Sequence, residues 1–188
     1  MRKFILLVLA VVFGWSSGAS AAPVQWTTAS GGNGHWYDVV ILTTSWDTAK
    51  QLAEQTSHDG LPGHLATITS SAEQAWLWNA LPHTKKWLGG YQPDPLAEEP
   101  DMGWVWITGE NWSYTHWNVN EPNDNNPNGG EDYLIVNGDV NGEWNDQSLS
   151  GQNKVTDYLV EFEPIPEPST ALLLGVGLAG LGMRRRRR

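Results

Sequence analysis

The spacing of apolar positions changes several times along the chain, and each change marks an element. "WYDVVIL", from Trp36 to Leu42, is a β-branched and aromatic run that reads as a strand. Ser45 then stands as an N-cap before "WDTAKQLAEQ". Trp46, Ala49, Leu52 and Ala53 recur there at helical spacing and give one apolar face. "GHLATI", residues 63–68, predicts a short strand. Ser70 or Ser71 caps a second helix with Glu73 in its first turn. Ala72, Ala75, Trp76 and the stretch from Asn79 to Leu81 supply the expected buried side of that helix. "KKWLGGY" reads as a strand, and a Pro-rich acidic insertion follows from Gln92 to Asp101. "GWVWITG" alternates large residues, and "DYLIV", "GEWND" and "DYLVEFE" are later strands. Two helices early and strands late predict an α+β domain.

Neither end of the chain fits this pattern. Arg2 and Lys3 precede an apolar run from Phe4 to Phe13, and Ala19 and Ala21 satisfy the small-residue cleavage rule. Residues 1–21 therefore read as a secretory signal peptide rather than a retained anchor, because the run is too short to span a bilayer comfortably. At the other end, Ala171 to Met183 is apolar and Gly-rich and is followed by five Arg. Arginines beside an apolar segment stay on the cytoplasmic side. The segment is short for a stable transmembrane helix, so it reads as a temporary stop making transient contact with the inner membrane; a plain C-terminal anchor is the alternative. Residues 22–164 form the expected domain and 165–188 the tail.

Charge changes the picture of partners. All 21 acidic residues lie between Asp38 and Glu167, opposed there by Lys50, Lys85, Lys86 and Lys154, which leaves that stretch at −17 against −10 for the whole chain. Such a surface repels a phosphate polyanion, which excludes nucleic acid as a partner, and attracts divalent cations. The absence of cysteine excludes thiol chemistry and thiolate metal sites. His35, His58, His64, His83 and His116 lack metal-ligand spacing. Of the 12 Trp, those at 36, 46, 76, 87, 104, 106 and 117 are expected in or near the core.

The candidate chemistry lies in "EPNDNNPNGGEDY", from Glu121 to Tyr133. It gathers two Glu, two Asp and four Asn with no basic residue. Either it is a solvated acidic loop or it cradles a hard cation. Calcium takes 6–8 oxygens at ~2.3–2.6 Å, which carboxylates and amide carbonyls supply. Asp124, Asn126, Asn128 and Gly129 match the first half of an EF-hand loop, but Ile135 stands where that loop needs a bidentate Glu, so the EF-hand is rejected. Glu121 and Glu131 as a paired-carboxylate glycosidase is the enzyme reading. With no HExxH, GxSxG or Gly-rich phosphate loop, the chain is not expected to be an enzyme.

Taken in order, "SWDTAKQLAEQ", "GHLATI", "SSAEQAWLWNAL", "WLGG", "WVWITGENWSYTHWNVNEPN", "GGEDYLIV", "GEWND" and "YLVEF" resemble a C-type lectin-like domain over Trp36 to Glu163. "WLGG" replaces the family's usual WIGL. The resemblance implies the C-type lectin-like fold: two helices, mixed short antiparallel sheets and a long calcium-binding loop region. It implies a cis Glu121–Pro122 bond. It also implies a primary calcium set of Glu121, Asn123, Glu131, Asn145 and Asp146, which doubles as the carbohydrate-binding set through two vicinal sugar hydroxyls. The triplet EPN goes, in that family, with mannose-, glucose- or fucose-like ligands. An auxiliary calcium set of Asp94, Glu98, Asp124 and Asp132 is the second expectation, with a solvated acidic loop as its alternative. The family's two disulfides map onto Ala53 with Val160 and Tyr133 with Leu149, which are read as packed replacements for bridges worth ~2–4 kcal/mol each. Pro166, Glu167 and Pro168, the apolar segment and the Arg cluster resemble the PEP-CTERM sorting tail of Gram-negative bacteria. That implies signal peptidase and exosortase as processing partners, glycans or exopolysaccharide as ligands, and the envelope or extracellular matrix as destination. A protein-binding or structural matrix domain of the same fold is the alternative.

Overall fold

The computed structural model describes residues 19–20, 22–93, 100–125, 130–151 and 154–163. Its strands are β1 (Ala19–Ser20), β2 (Val24–Gln25), β3 (Trp36–Ile41), β4 (Ser57–His58), β5 (Leu61–Leu65), β6 (Lys86–Tyr91), β7 (Val105–Trp106), β8 (Tyr133–Val136), β9 (Trp144–Gln147) and β10 (Asp157–Phe162). Helix α1 (Trp46–Glu54) follows β3 and helix α2 (Ser71–Ala80) follows β5, so the domain is α+β. The strands order as β1-β3-β10-β6-β8-β9, with β2 on β3, β5 on β10 and β7 on β6. The β10–β6 pair is parallel, and the other pairs are antiparallel.

Local chemistry sets the helix starts as the sequence predicts. Ser45 accepts from the Thr48 amide and Ser70 from the Glu73 amide, each satisfying one free N–H of a first turn. Helix α1 buries Trp46, Ala49 and Ala53. Helix α2 departs from expectation. Its buried residues include Glu73, Gln74 and Leu77, while Ala72, Ala75, Asn79 and Ala80 face solvent. The polar pair is tolerated inside because its hydrogen bonds are satisfied. Tyr37 donates to Glu73 (2.6 Å) and lies 3.0 Å from Glu161, and the Thr69 amide donates to the other Glu73 oxygen (2.9 Å).

The strand expected over 63–68 stops at Leu65. The Thr67 amide donates to the Glu161 carboxylate (2.9 Å) instead of to a neighbouring strand. "GWVWITG" forms only the two-residue β7.

Two apolar clusters lie about this sheet. One joins Trp26, Tyr37, Leu88, Trp104, Trp106, Leu134, Trp144 and Leu159; the other joins Trp46, Ala49, Ala53, Leu65, Trp87, Ile135 and Val160. Of the expected tryptophans, Trp46, Trp87, Trp104 and Trp106 are buried and Trp36, Trp76 and Trp117 are half-buried. Gly90 stands where the family's pattern has Leu. A Cβ there would come within 3.0 Å of Trp112 and 2.8 Å of Leu134, so the indole occupies the space a side chain would need.

Ala53 and Val160 share the second cluster and are fully buried, as the packed replacement predicts. The other pair is different. Tyr133 packs on Trp46 (4.9 Å between rings), but the Leu149 side chain is exposed. Leu149 contributes its backbone instead, its carbonyl accepting from the Trp46 amide (3.0 Å). Leu149 is therefore not a packed substitute for a bridge.

Two residues of the predicted signal segment are among the described ones. Ala19 and Ser20 pair with Ile41 and Val40. Cleavage after Ala21, a residue outside the described ones, would remove this two-residue pairing. Among the described residues no helix is long and apolar enough to cross a membrane. The apolar segments at 4–13 and 171–183, and Pro166, Glu167 and Pro168, lie outside them.

Candidate carbohydrate and calcium site

Strand β9 and the loop after Trp117 meet at Trp144. The Trp144 amide donates to the His116 carbonyl (2.7 Å), and the Asn118 amide donates to the Trp144 carbonyl (2.9 Å). A turn follows, in which Asn120 takes a left-handed backbone conformation and the Glu121 amide closes onto the Asn118 carbonyl (3.0 Å). The Glu121–Pro122 peptide is cis, as the resemblance implies.

Asp146 organises what comes next. It is 1% exposed, and its Oδ2 accepts from the amides of Asn123 (3.0 Å) and Asp124 (2.7 Å). Asp124 in turn accepts from the Glu131 amide (2.7 Å), which ties the far side of the loop to the near side. Asn123 Oδ1 accepts from the Asn125 amide (2.8 Å). The Asn145 amide group donates to the Asp146 carbonyl. A carbonyl oxygen has two lone pairs, so Asn123 Oδ1 and the Asp146 carbonyl each keep one.

Burial and neighbouring negative charge raise the proton affinity of Glu121 and Glu131. Burial, contact with Asp146 and the charges of Asp146 and Glu131 push Glu121 up to about 7. Burial and the Asp146 charge raise Glu131 as well. Glu121 Oε2 and Asp146 Oδ1 are buried and lack a hydrogen-bond partner. Once ionised, a buried carboxylate oxygen can only accept, so with both groups charged these atoms call for a donor or a cation. This donor set fits a hard cation with oxygen ligands: three carboxylates, two side-chain amides and no nitrogen base. Among the described residues no three acidic or His side chains converge as a finished metal cage.

The structure thus brings Glu121, Asn123, Glu131, Asn145 and Asp146 into one connected network. Of the second set, Asp124 and Asp132 both crowd Gly130, each with an oxygen 3.3 Å from where a Cβ would sit. Burial and the charges of Asp124 and Asp146 raise the Asp132 carboxyl. Asp94 and Glu98 lie outside the described residues. Two contributors were not legible as site residues. Trp144 joins the two halves of the network, and Gln74 holds the Trp144 indole (2.9 Å). The available signal was "WND" itself, whose Trp was read only as part of a motif.

A mixed sheet with two helices on which a long acidic loop is cross-tied to a short strand defines a binding domain whose site is borne on loops. The chain belongs to the C-type lectin domain family: residues 42–155 match the lectin C-type domain model, and residues 164–187 match the PEP-CTERM protein-sorting motif. Lectin BRA-3 of Megabalanus rosa is 30% identical over 164 residues, covering 86% of this chain and 91% of that one. Halomucin of Haloquadratum walsbyi is 32% identical over 179 residues, covering 81% of this chain; the match spans 2% of halomucin's length. Among solved structures, the C-type lectin CEL-I from Cucumaria echinata superposes with a TM-score of 0.56 at 26% identity, covering 69% of this chain and 90% of that one. The family consists of binding rather than catalytic domains, and its members commonly bind calcium. The sorting motif implies export and exosortase-processed sorting in bacteria.

Proposed function

We propose that the chain is an exported, calcium-dependent carbohydrate-binding protein of the Gram-negative envelope or extracellular matrix, and not an enzyme. The observation that carries this reading is the pair of buried, unpartnered oxygens, Glu121 Oε2 and Asp146 Oδ1, inside a network of like charges. Glu121, Asn123, Glu131, Asn145 and Asp146 would hold calcium. The bound ion would offset two of the three carboxylate charges and offer open coordination places to two vicinal sugar hydroxyls. The chain's own groups then orient those hydroxyls: carboxylates accept the hydroxyl protons, and the Asn amides donate to the remaining lone pairs. Asp124 and Asp132 are the described part of an auxiliary calcium set; Asp94 and Glu98 are its other expected members. Signal peptidase would act after Ala21, and exosortase at the tail bearing Pro166, Glu167 and Pro168, following transient inner-membrane contact. The ligand class is mannose-, glucose- or fucose-like, carried on glycans or exopolysaccharide.

The test is exchange of donor and acceptor. Glu121→Gln combined with Asn123→Asp keeps one carboxylate and one amide, so the charge is unchanged while their positions reverse. An equatorial hydroxyl pair then meets mismatched partners, each unmade hydrogen bond costing ~1–3 kcal/mol. The double variant is expected to retain calcium but elute from mannose resin at least tenfold earlier in competitor concentration, with a gain for galactose. Wild-type elution by a calcium-loaded double variant would refute the role of these two residues.

A further inference from the structure

Gln74 lies on α2, remote in sequence from every expected ligand, yet it is only 4% exposed and its amide bonds both the strand that carries two of them and the turn before it. Its Oε1 accepts from the Trp144 indole N–H (2.9 Å), and its Nε2 donates to the Gly142 carbonyl (3.1 Å). A side-chain amide is the group that serves both ends of this span, since a carboxylate cannot donate and an aliphatic chain can do neither. Gly142 is pressed onto the helix: a Cβ there would lie 2.6 Å from Trp78 and 3.0 Å from Gln74 Nε2. The turn before β9 and the first residue of β9 are therefore both fixed to α2 by one side chain.

Trp144 has no room to choose another position. It is fully buried, with Trp106 (5.8 Å), Tyr114 (5.6 Å) and Trp117 (5.8 Å) edge-on around its ring. Its backbone does two things. It leads directly into Asn145 and Asp146, and its carbonyl receives the Asn118 amide, whose own carbonyl receives the Glu121 amide. The two halves of the ligand network thus meet at Trp144, and a displacement there moves Asp146 relative to Glu121. We infer that Gln74 is a positioning residue for this site, setting the spacing of its two halves through Trp144. The inference rests on the reading given under Proposed function.

The test uses the full-length chain. Gln74→Met keeps the length and removes both hydrogen bonds. Leu77→Ala, on the same buried helix face but with no hydrogen bond to β9, is the control for stability loss alone. Gln74→Met is expected to raise the calcium Kd about tenfold, the size seen when groups orienting metal ligands are lost, and Leu77→Ala to leave it unchanged. Trp144→Phe keeps a smaller aromatic ring and loses the N–H; its effect on Kd should add to that of Gln74→Met by less than the sum of the two, because they share the indole–amide bond. A second readout needs no calcium. In metal-free protein, amide exchange at Asn118 and Glu121 is expected to accelerate at least about tenfold in Gln74→Met and not in Leu77→Ala. A Gln74→Met chain that is less stable yet keeps wild-type Kd and wild-type exchange at these amides overturns the inference. If the wild type binds no calcium, the calcium reading fails, and the exchange comparison alone decides the role of Gln74.

Discussion

Replacing Asp146 by Ala is expected to weaken calcium binding more than about a hundredfold, a loss of ~2.7 kcal/mol or more. Three effects act together. The variant removes a carboxylate with a buried, unpartnered oxygen, and hence one of three charges facing the ion. It takes the shared acceptor from the Asn123 and Asp124 amides, and hydrogen bonds to charged groups are worth ~1.5–3 kcal/mol each. It also loosens the loop on which Glu121 and Asn123 are placed, since those two amides tie it to β9 beyond the Asn118 bond to the Trp144 carbonyl. Asp146→Asn separates these effects. The amide oxygen still accepts from the loop, while the charge is gone, so a smaller loss of about tenfold is expected. Calorimetric titration of the two variants checks the ranking. Equal affinities would mean that the loop bonds to Asp146 contribute nothing to the site.

The second large effect is a pair of opposed pH dependences. Burial and its acidic neighbours raise Glu121 to about 7, well above the ordinary carboxyl. Calcium needs the ionised form, so protons compete below that value. One proton displaced gives an apparent Kd weaker by about tenfold at pH 6 and about a hundredfold at pH 5, relative to pH 8. In the metal-free chain the sign reverses. A carboxyl whose folded pKa exceeds its unfolded one makes the fold lose stability as pH rises from the unfolded value through the folded one. Metal-free protein is therefore expected to melt at a lower temperature at pH 8 than at pH 5. Calcium-loaded protein should show the opposite order, because tighter binding adds stability. The raised Glu131 and Asp132 act in the same direction. Melting curves at the two pH values, with calcium and with EDTA, test both slopes. Parallel slopes with and without calcium would contradict a proton-linked site at Glu121.

What the sequence made legible follows from how strongly each signal is local. Helix α1 declared itself because Trp46, Ala49 and Ala53 repeat on one face and Ser45 caps it, and these are near-neighbour effects. The acidic loop was legible because four Asn and four acids within thirteen residues have few structural uses. Helix α2 buries a different side from the one its apolar residues predict, because Glu73 and Gln74 are polar. Their burial depends on partners far along the chain, namely Tyr37, Trp144 and Gly142, which periodicity does not reveal. The strand expected to run to Ile68 fails for a similar reason: the Glu161 side chain captures the Thr67 amide, a bond made across 94 residues. Leu149 illustrates a third kind of miss. It is expected to pack beside Tyr133, but its side chain is exposed and its backbone carbonyl takes the Trp46 amide instead; sequence alone does not say which part of a residue makes the contact.

Sugar recognition and calcium dependence are joined in one experiment. Purified full-length chain is applied to a glycan array in millimolar calcium and again in EDTA. The account predicts binding confined to glycans with mannose-, glucose- or fucose-like ends, at least tenfold weaker in EDTA and restored when calcium is returned. Single sugars should bind weakly, near ~1 mM, corresponding to only ~4 kcal/mol, so dense display should strengthen the signal by avidity. Binding of equal strength in EDTA, or no glycan bound by a calcium-loaded chain, would contradict it.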